Sequence, residues 1–187
     1  MQGSLNLTGH ILCSQPKCLD AFFNKSVVVI AQHSEKHSWG VMVNKVHPDF
    51  NIGTLMANAG VAYPDDPRPI FIGGPVEPGR VHVIHSLDWQ GSSTIAVTHD
   101  IGITGDISIL AAIAGGQGPS LYRICAGLCV WGPGQLDGEQ KGIPPWKPEH
   151  RWLDAPATLE AIFDQNGEEQ WQKSIEIVAN SVISTWF

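Results

Sequence analysis

Positive charge is what this chain has least of. Its 187 residues carry 11 Lys and Arg against 18 Asp and Glu, a net charge of −7. Lys141, Lys147 and Arg151 are interleaved with Glu139, Glu149 and Asp154, so no basic stripe forms. Polyanion binding draws on clustered cations that displace counterions from phosphates, which argues against direct nucleic-acid binding. Purely apolar runs such as residues 27–31 are far shorter than the roughly 20 residues that span a bilayer. Residues 1–9 lack the basic-then-apolar pattern of a secretory leader. Four cysteines (Cys13, Cys18, Cys125, Cys129) are few for a disulfide-built secreted scaffold. These absences point to a cytoplasmic protein with reduced thiols and no membrane association.

Catalytic signatures are equally sparse. No HExxH or HxH pattern gathers the eight histidines into a zinc site, so no metal is assigned. His82 and His85 stand three apart on a predicted strand, on opposite faces. No GxSxG elbow marks a serine hydrolase. Cys125 and Cys129 have three residues between them, one too many for a redox CxxC pair, and read as small hydrophobes on one face of a strand. Nothing in the sequence asks for a cofactor.

What is present is a chain of single-domain size, with 43% hydrophobic residues spread along its length. Gly (20) and Pro (13) are plentiful, which predicts many tight turns. The β-branched run 27–31 reads as a strand buried on both faces and 39–44 as its neighbour, joined by a short polar connection. Further strands are predicted at 9–14, 70–72 and 121–130, the last with a bulge at Gly127. Residues 81–85 and 94–98 are expected to pair with each other. Short helices are predicted at 16–23, burying Leu19, Phe22 and Phe23, and at 52–59 and 158–163. Asp106 and Gly115 bracket another as N-cap and stop. The clearest helix is 168–184, with Trp171, Ile175, Val178 and Val182 on one stripe. Strands early and helices late make an α+β pattern, a single domain over 1–187 ending in a long amphipathic helix.

Two Gly/Pro turns at strand ends carry the candidate site. In the first, Gly73, Gly74, Pro75 and Val76 follow a strand as phosphate-cradling loops do, although Pro75 removes one amide and no Lys or Thr completes a P-loop. Close strand packing is the competing reason for the glycines. In the second, the apolar run ends at Trp131, and Gly132-Pro133-Gly134 turns into Gln135-Leu136-Asp137-Gly138-Glu139. With Pro133 opening a helical turn, Gln135 and Glu139 lie four apart on one face while Asp137 points elsewhere. Such a pair can hold a polar ligand or orient water, or Gln135 can simply cap the helix start. Five of seven tryptophans (Trp131, Trp146, Trp152, Trp171, Trp186) fall after position 130, either covering the core or forming a partner surface.

These residues together resemble the AlgH/YqgE family: Phe22 with 26-SVVVI-30, then 40-GVMVN-44 ending in Asn44, Gly73-Gly74-Pro75-Val76, the Trp131–Glu139 segment, and later Trp152, Phe163-Asp164 and Trp171. Where the family pattern has Glu after Gln-Leu, this chain has Asp137, followed by Gly138; Glu139 is unchanged. The resemblance implies a bacterial cytoplasmic α+β protein built on a bent or barrel-like mixed sheet flanked by helices. One member is described as a transcriptional regulator of alginate synthesis, and the family brings no agreed enzymatic activity or cofactor.

The leading reading is a non-enzymatic binding or regulatory domain acting through a protein or small-molecule partner. Its surface would join Gly73, Gly74, Pro75 and Val76 with Asn44, Trp131, Gly132, Gly134, Gln135 and Glu139. The alternative is a hydrolase or transferase acting on a phosphorylated or acyl compound, with Gln135 and Glu139 in the site. Approach of Glu139 to His82 or His85 would favour it. The sequence does not speak to oligomeric state.

Overall fold

The computed structural model describes residues 6–184, so residues 1–5 and Trp186 lie outside the described residues. A mixed sheet curls into a half-barrel in the order β10-β1-β2-β3-β9-β6-β8-β7. The strands are β1 (His10–Ser14), β2 (Val27–His33), β3 (Ser38–Met42), β4 (Val46–Asn51), β5 (Pro69–Ile72), β6 (Val76–Ser86), β7 (Ile95–Ala96), β8 (Ile101–Thr104), β9 (Tyr122–Trp131) and β10 (Trp152–Pro156). Neighbours run antiparallel, except that β5 lies parallel to β9 and carries β4 on its other side. The helices are α1 (Ile52–Asn58), α2 (Ile107–Ala114), α3 (Gln135–Lys141), α4 (Leu159–Phe163) and the long α5 (Gly167–Ser184).

Strand β2 shows why a curled sheet needs helices on both sides. Val27 to Ala31 are all at most 3% exposed. Their pleat sends Val27, Val29 and Ala31 into a cluster with Ile162, Trp171 and Val178 of α4 and α5. Val28 and Ile30 go to the other face, with Met42, Cys129, Trp131, Leu136 of α3 and Trp152. A third cluster packs Ile52 and Met56 of α1 and Ile109, Leu110 and Ile113 of α2 over Val83 and Ile124.

Several expectations are corrected. Residues 16–23 form turns, not a helix: the Asp20 carboxylate accepts the amides of Phe22 and Phe23, the local competition that disfavours helix. Leu19 is consequently 84% exposed. The 81–85 strand, inside the longer β6, pairs with β8 and β9, and the 94–98 segment pairs with β8 instead. Pro133 precedes the helix, whose N-cap is Gly134 in the left-handed region. Cys125 and Cys129 face opposite sides, because Gly127 at φ +83° breaks the two-residue alternation between them. On α5 the buried side is Gln170, Trp171, Ser174 and Val178, and Val182 is 53% exposed. Gln170 turns inward because it bonds Arg123 and the Ala161 and Ile162 carbonyls. Strands β4, β8 and β10 are additions to the elements expected from local pattern.

Candidate functional site

Strand β9 delivers Trp131 to the edge of the second core cluster, 3% exposed, and the Gly132–Gly134 turn then launches α3. Gln135 braces the turn and pairs with Glu139, but it does not cap the helix start: the N-cap, Gly134, receives no side-chain bond. Its Oε1 accepts the Gly132 amide at 3.0 Å, and its Nε2 donates to Glu139 Oε1 at 2.8 Å, one helical turn on. The other carboxylate oxygen, Oε2, accepts two indole N–H groups, from Trp131 at 2.9 Å and from Trp152 of β10 at 2.8 Å. Glu139 is thus held by three neutral donors from three separate positions. No ion pair among the described residues involves it.

This carboxylate lies in a cleft of about 290 Å³. Pro75, Phe23, Trp131 and Trp152 line it together with Gln135 and Glu139, so the two Gly/Pro turns do meet. Trp152 stands at 79° to Trp131 and at 82° to Phe23, with ring centres 6.1 and 5.6 Å apart. Asp20 adds a second carboxylate, and neither Lys nor Arg belongs to the lining. Cys18 and His150 also reach the cleft, from a turn and a short 3-10 segment whose residues carry no periodic signal that could have pointed to them.

The remaining candidates fall elsewhere. Gly73 is fully committed to the sheet, its amide to Ala126 and its carbonyl to Met42. A Cβ there would stand 2.2 Å from the Gly127 carbonyl oxygen, and one on Gly74 would stand 2.1 Å from the Leu128 carbonyl carbon, so these glycines serve close backbone packing. Val76 pairs with Leu128 in the ladder. Gly132 and Gly134 shape the turn without lining the cleft. Asn44 is fully buried: it accepts the Val27 amide and donates to the Lys25 and Gly167 carbonyls, tying α5 to the sheet. Asp137 turns toward His33, 3.5 Å away. His82 packs against Trp39, His85 bonds Thr104 and Ser86, and neither enters the cleft. Gly138 leaves room for the Trp146 ring, which a Cβ would approach to 2.2 Å.

Residues 11–181 match the model of the AlgH-like family. The chain belongs to that family. Relatives include a UPF0301 protein of Allorhizobium ampelinum, 32% identical over 94% of this chain and 88% of the relative. Another, from Rhizorhabdus wittichii, is 33% identical over 94% and 91%. The solution structure of the AlgH protein from Pseudomonas aeruginosa superposes with a TM-score of 0.76 at 26% identity, covering 95% of this chain and 92% of that one. A Corynebacterium diphtheriae protein shares the fold, with a TM-score of 0.70 at 20% identity over 92% and 87% of the two chains. This AlgH-like chain thus has the family's curled sheet and long last helix. Among its described residues no helix is long and apolar enough to cross a membrane.

Proposed function

We propose that this AlgH-like protein is a single-domain cytoplasmic binding protein whose cleft takes up a cationic group, an amine or guanidinium, carried by a small molecule or a partner protein. The bonding of Glu139 is the observation that supports it. Three neutral N–H groups fix the carboxylate without cancelling its charge. A fixed charge in a partly desolvated cleft interacts more strongly than one in bulk water. Phe23, Trp131 and Trp152 surround it with aromatic rings, which attract cations by about 0.5–2 kcal/mol each when well placed. Asp20 adds to the negative field, offset in part by the neighbouring Lys45, whose ammonium donates to the Phe22 carbonyl and is not part of the lining.

A regulatory role of the kind described for one family member would then act through this occupant. The net charge of −7 supports that route over DNA contact. The test is a thermal-shift comparison of choline and agmatine with their neutral isosteres at equal ionic strength. Cations should raise the melting temperature of the wild-type chain and leave Glu139→Gln unmoved. Equal stabilisation by neutral isosteres, or none by any cation, would overturn the reading.

A further inference from the structure

Among the described residues Arg123 is the one buried arginine, 7% exposed on β9. A buried charge is costly unless it is paired, yet none of the ion pairs among the described residues includes it. Its acceptors are all neutral. Nη1 donates to the Val43 carbonyl and to Gln170 Oε1, each at 2.6 Å, and Nη2 donates to the Gln165 carbonyl. The guanidinium lies over Phe71, 4.6 Å from the ring centre. An arginine has five N–H groups. Three are used, and the two left, on Nε and Nη2, find no acceptor among the described residues.

Nε lies on the edge of the guanidinium plane that it shares with Nη2, an edge that can grip oxygens of a carboxylate or phosphate, and Nη2 also serves the Gln165 carbonyl. Arg123 also lines a cavity of about 210 Å³ between β5, the start of β9 and the α4–α5 turn, together with Arg68, Tyr122 and Asn166. Arg68 holds Asp66 through Nε and Nη2, and its Nη2 also reaches the hydroxyls of Tyr122 at 2.9 Å and Tyr63 at 3.4 Å, while its Nη1 has no acceptor among the described residues. No carboxylate belongs to the lining.

We propose that this cavity is an oxyanion site, taking the carboxylate or phosphate group of a small molecule on the open edge of Arg123, with Arg68 and Asn166 closing over it. It shares no residue with the Glu139 cleft and stands independently of it. Because Arg123 also ties Val43, Gln165 and Gln170 together, its removal endangers the fold. The exposed Arg68 and Asn166 therefore carry the test.

The intact chain is titrated with inorganic phosphate and, separately, with succinate, against sodium chloride at matched ionic strength. The side-chain N–H signals of Arg123 and Asn166 are followed by NMR. The expected result is a saturable shift with phosphate, with succinate or with both, and none with chloride; the responding anion identifies the source. Arg68→Gln should weaken binding about tenfold or more, the loss of a charged hydrogen bond, and Asn166→Asp should abolish it by placing a like charge in the site. Shifts that chloride reproduces, no saturable shift, or binding indifferent to both substitutions would overturn the assignment.

Discussion

Trp152 donates its indole N–H to Glu139 Oε2 at 2.8 Å, and through this bond β10 is tied to α3 across the mouth of the cleft. Trp131 donates to the same oxygen, so one carboxylate anchors two strand ends whose residues lie 21 apart in sequence. Removing the carboxylate leaves two largely buried indole N–H groups without their acceptor. Glu139→Ala should therefore destabilise the protein by about 2–4 kcal/mol, and Glu139→Gln, which keeps one acceptor oxygen, by roughly half as much. Urea unfolding measures both. A loss below about 0.5 kcal/mol for Glu139→Ala, the range of ordinary surface changes, would contradict the anchoring role.

Gly138 and Trp146 give a second structural test. Gly138→Ala puts a methyl group 2.2 Å from a Trp146 ring carbon, and the ring must move. A cost of about 1–3 kcal/mol is expected, as for overpacking elsewhere, with a changed tryptophan emission spectrum. Gly138→Ala that stabilises the protein, as alanine does in an open helix, would show that Trp146 does not rest there.

Much of the fold was legible because it rests on short-range pattern. The all-apolar run at Val27–Ala31, the Asp106 cap with its Gly115 stop, and the long helix ending in residue 184 all follow from local residues. What escaped depends on distant partners. Strand β10 exists because residues 152–156 lie against β1, and nothing in its own sequence alternates strongly. The shared face of Gln135 and Glu139 was readable from spacing. The two indoles that complete the site were not, because Trp131 and Trp152 meet only once β10 crosses back beside α3. Gln170 and Ser174 broke the expected apolar stripe of α5, since the side chain that Gln170 must meet, Arg123, lies 47 residues away.

The cysteines yield a reactivity prediction. Burial pushes the thiols of Cys13, Cys125 and Cys129 up to about 12 from an ordinary 9.0. At about pH 8 they stay protonated and inaccessible, and thiolate is the reactive form. Iodoacetamide should label only Cys18 in the native chain and all four after denaturation, as read by peptide mass. The raised values also set a sign. Stability from these thiols is whole below 9.0 and falls as pH rises toward 12, because the unfolded chain loses its protons first. Rapid native labelling at Cys125 would contradict this.

Histidine sets the acid side. Burial lowers the proton affinity of His82 and His85 below the ordinary 6.5, helped at His82 by Arg80 and opposed at His85 by the Ser86 carbonyl. His85 is held at both ring nitrogens, with Nδ1 donating to the Ser86 carbonyl at 2.8 Å and Nε2 lying 2.9 Å from the Thr104 hydroxyl. Both groups therefore contribute stability that is complete above 6.5 and shrinks as pH falls below it, when the unfolded chain binds the extra protons. Unfolding free energy should drop between about pH 7 and about pH 5, and His85→Gln should flatten part of that slope. An unchanged slope in the variant would show that His85 carries none of it.

Selection of positive charge by the Glu139 cleft is read most directly from the indole N–H signals of Trp131 and Trp152. The chain is titrated with choline and, separately, with the neutral isostere 3,3-dimethyl-1-butanol, each followed by NMR at constant ionic strength. Choline should move both indole signals saturably, the alcohol should leave them in place, and Glu139→Gln should abolish the choline response. Equal shifts with the alcohol, or indole signals that ignore choline altogether, would contradict a cation-selective cleft.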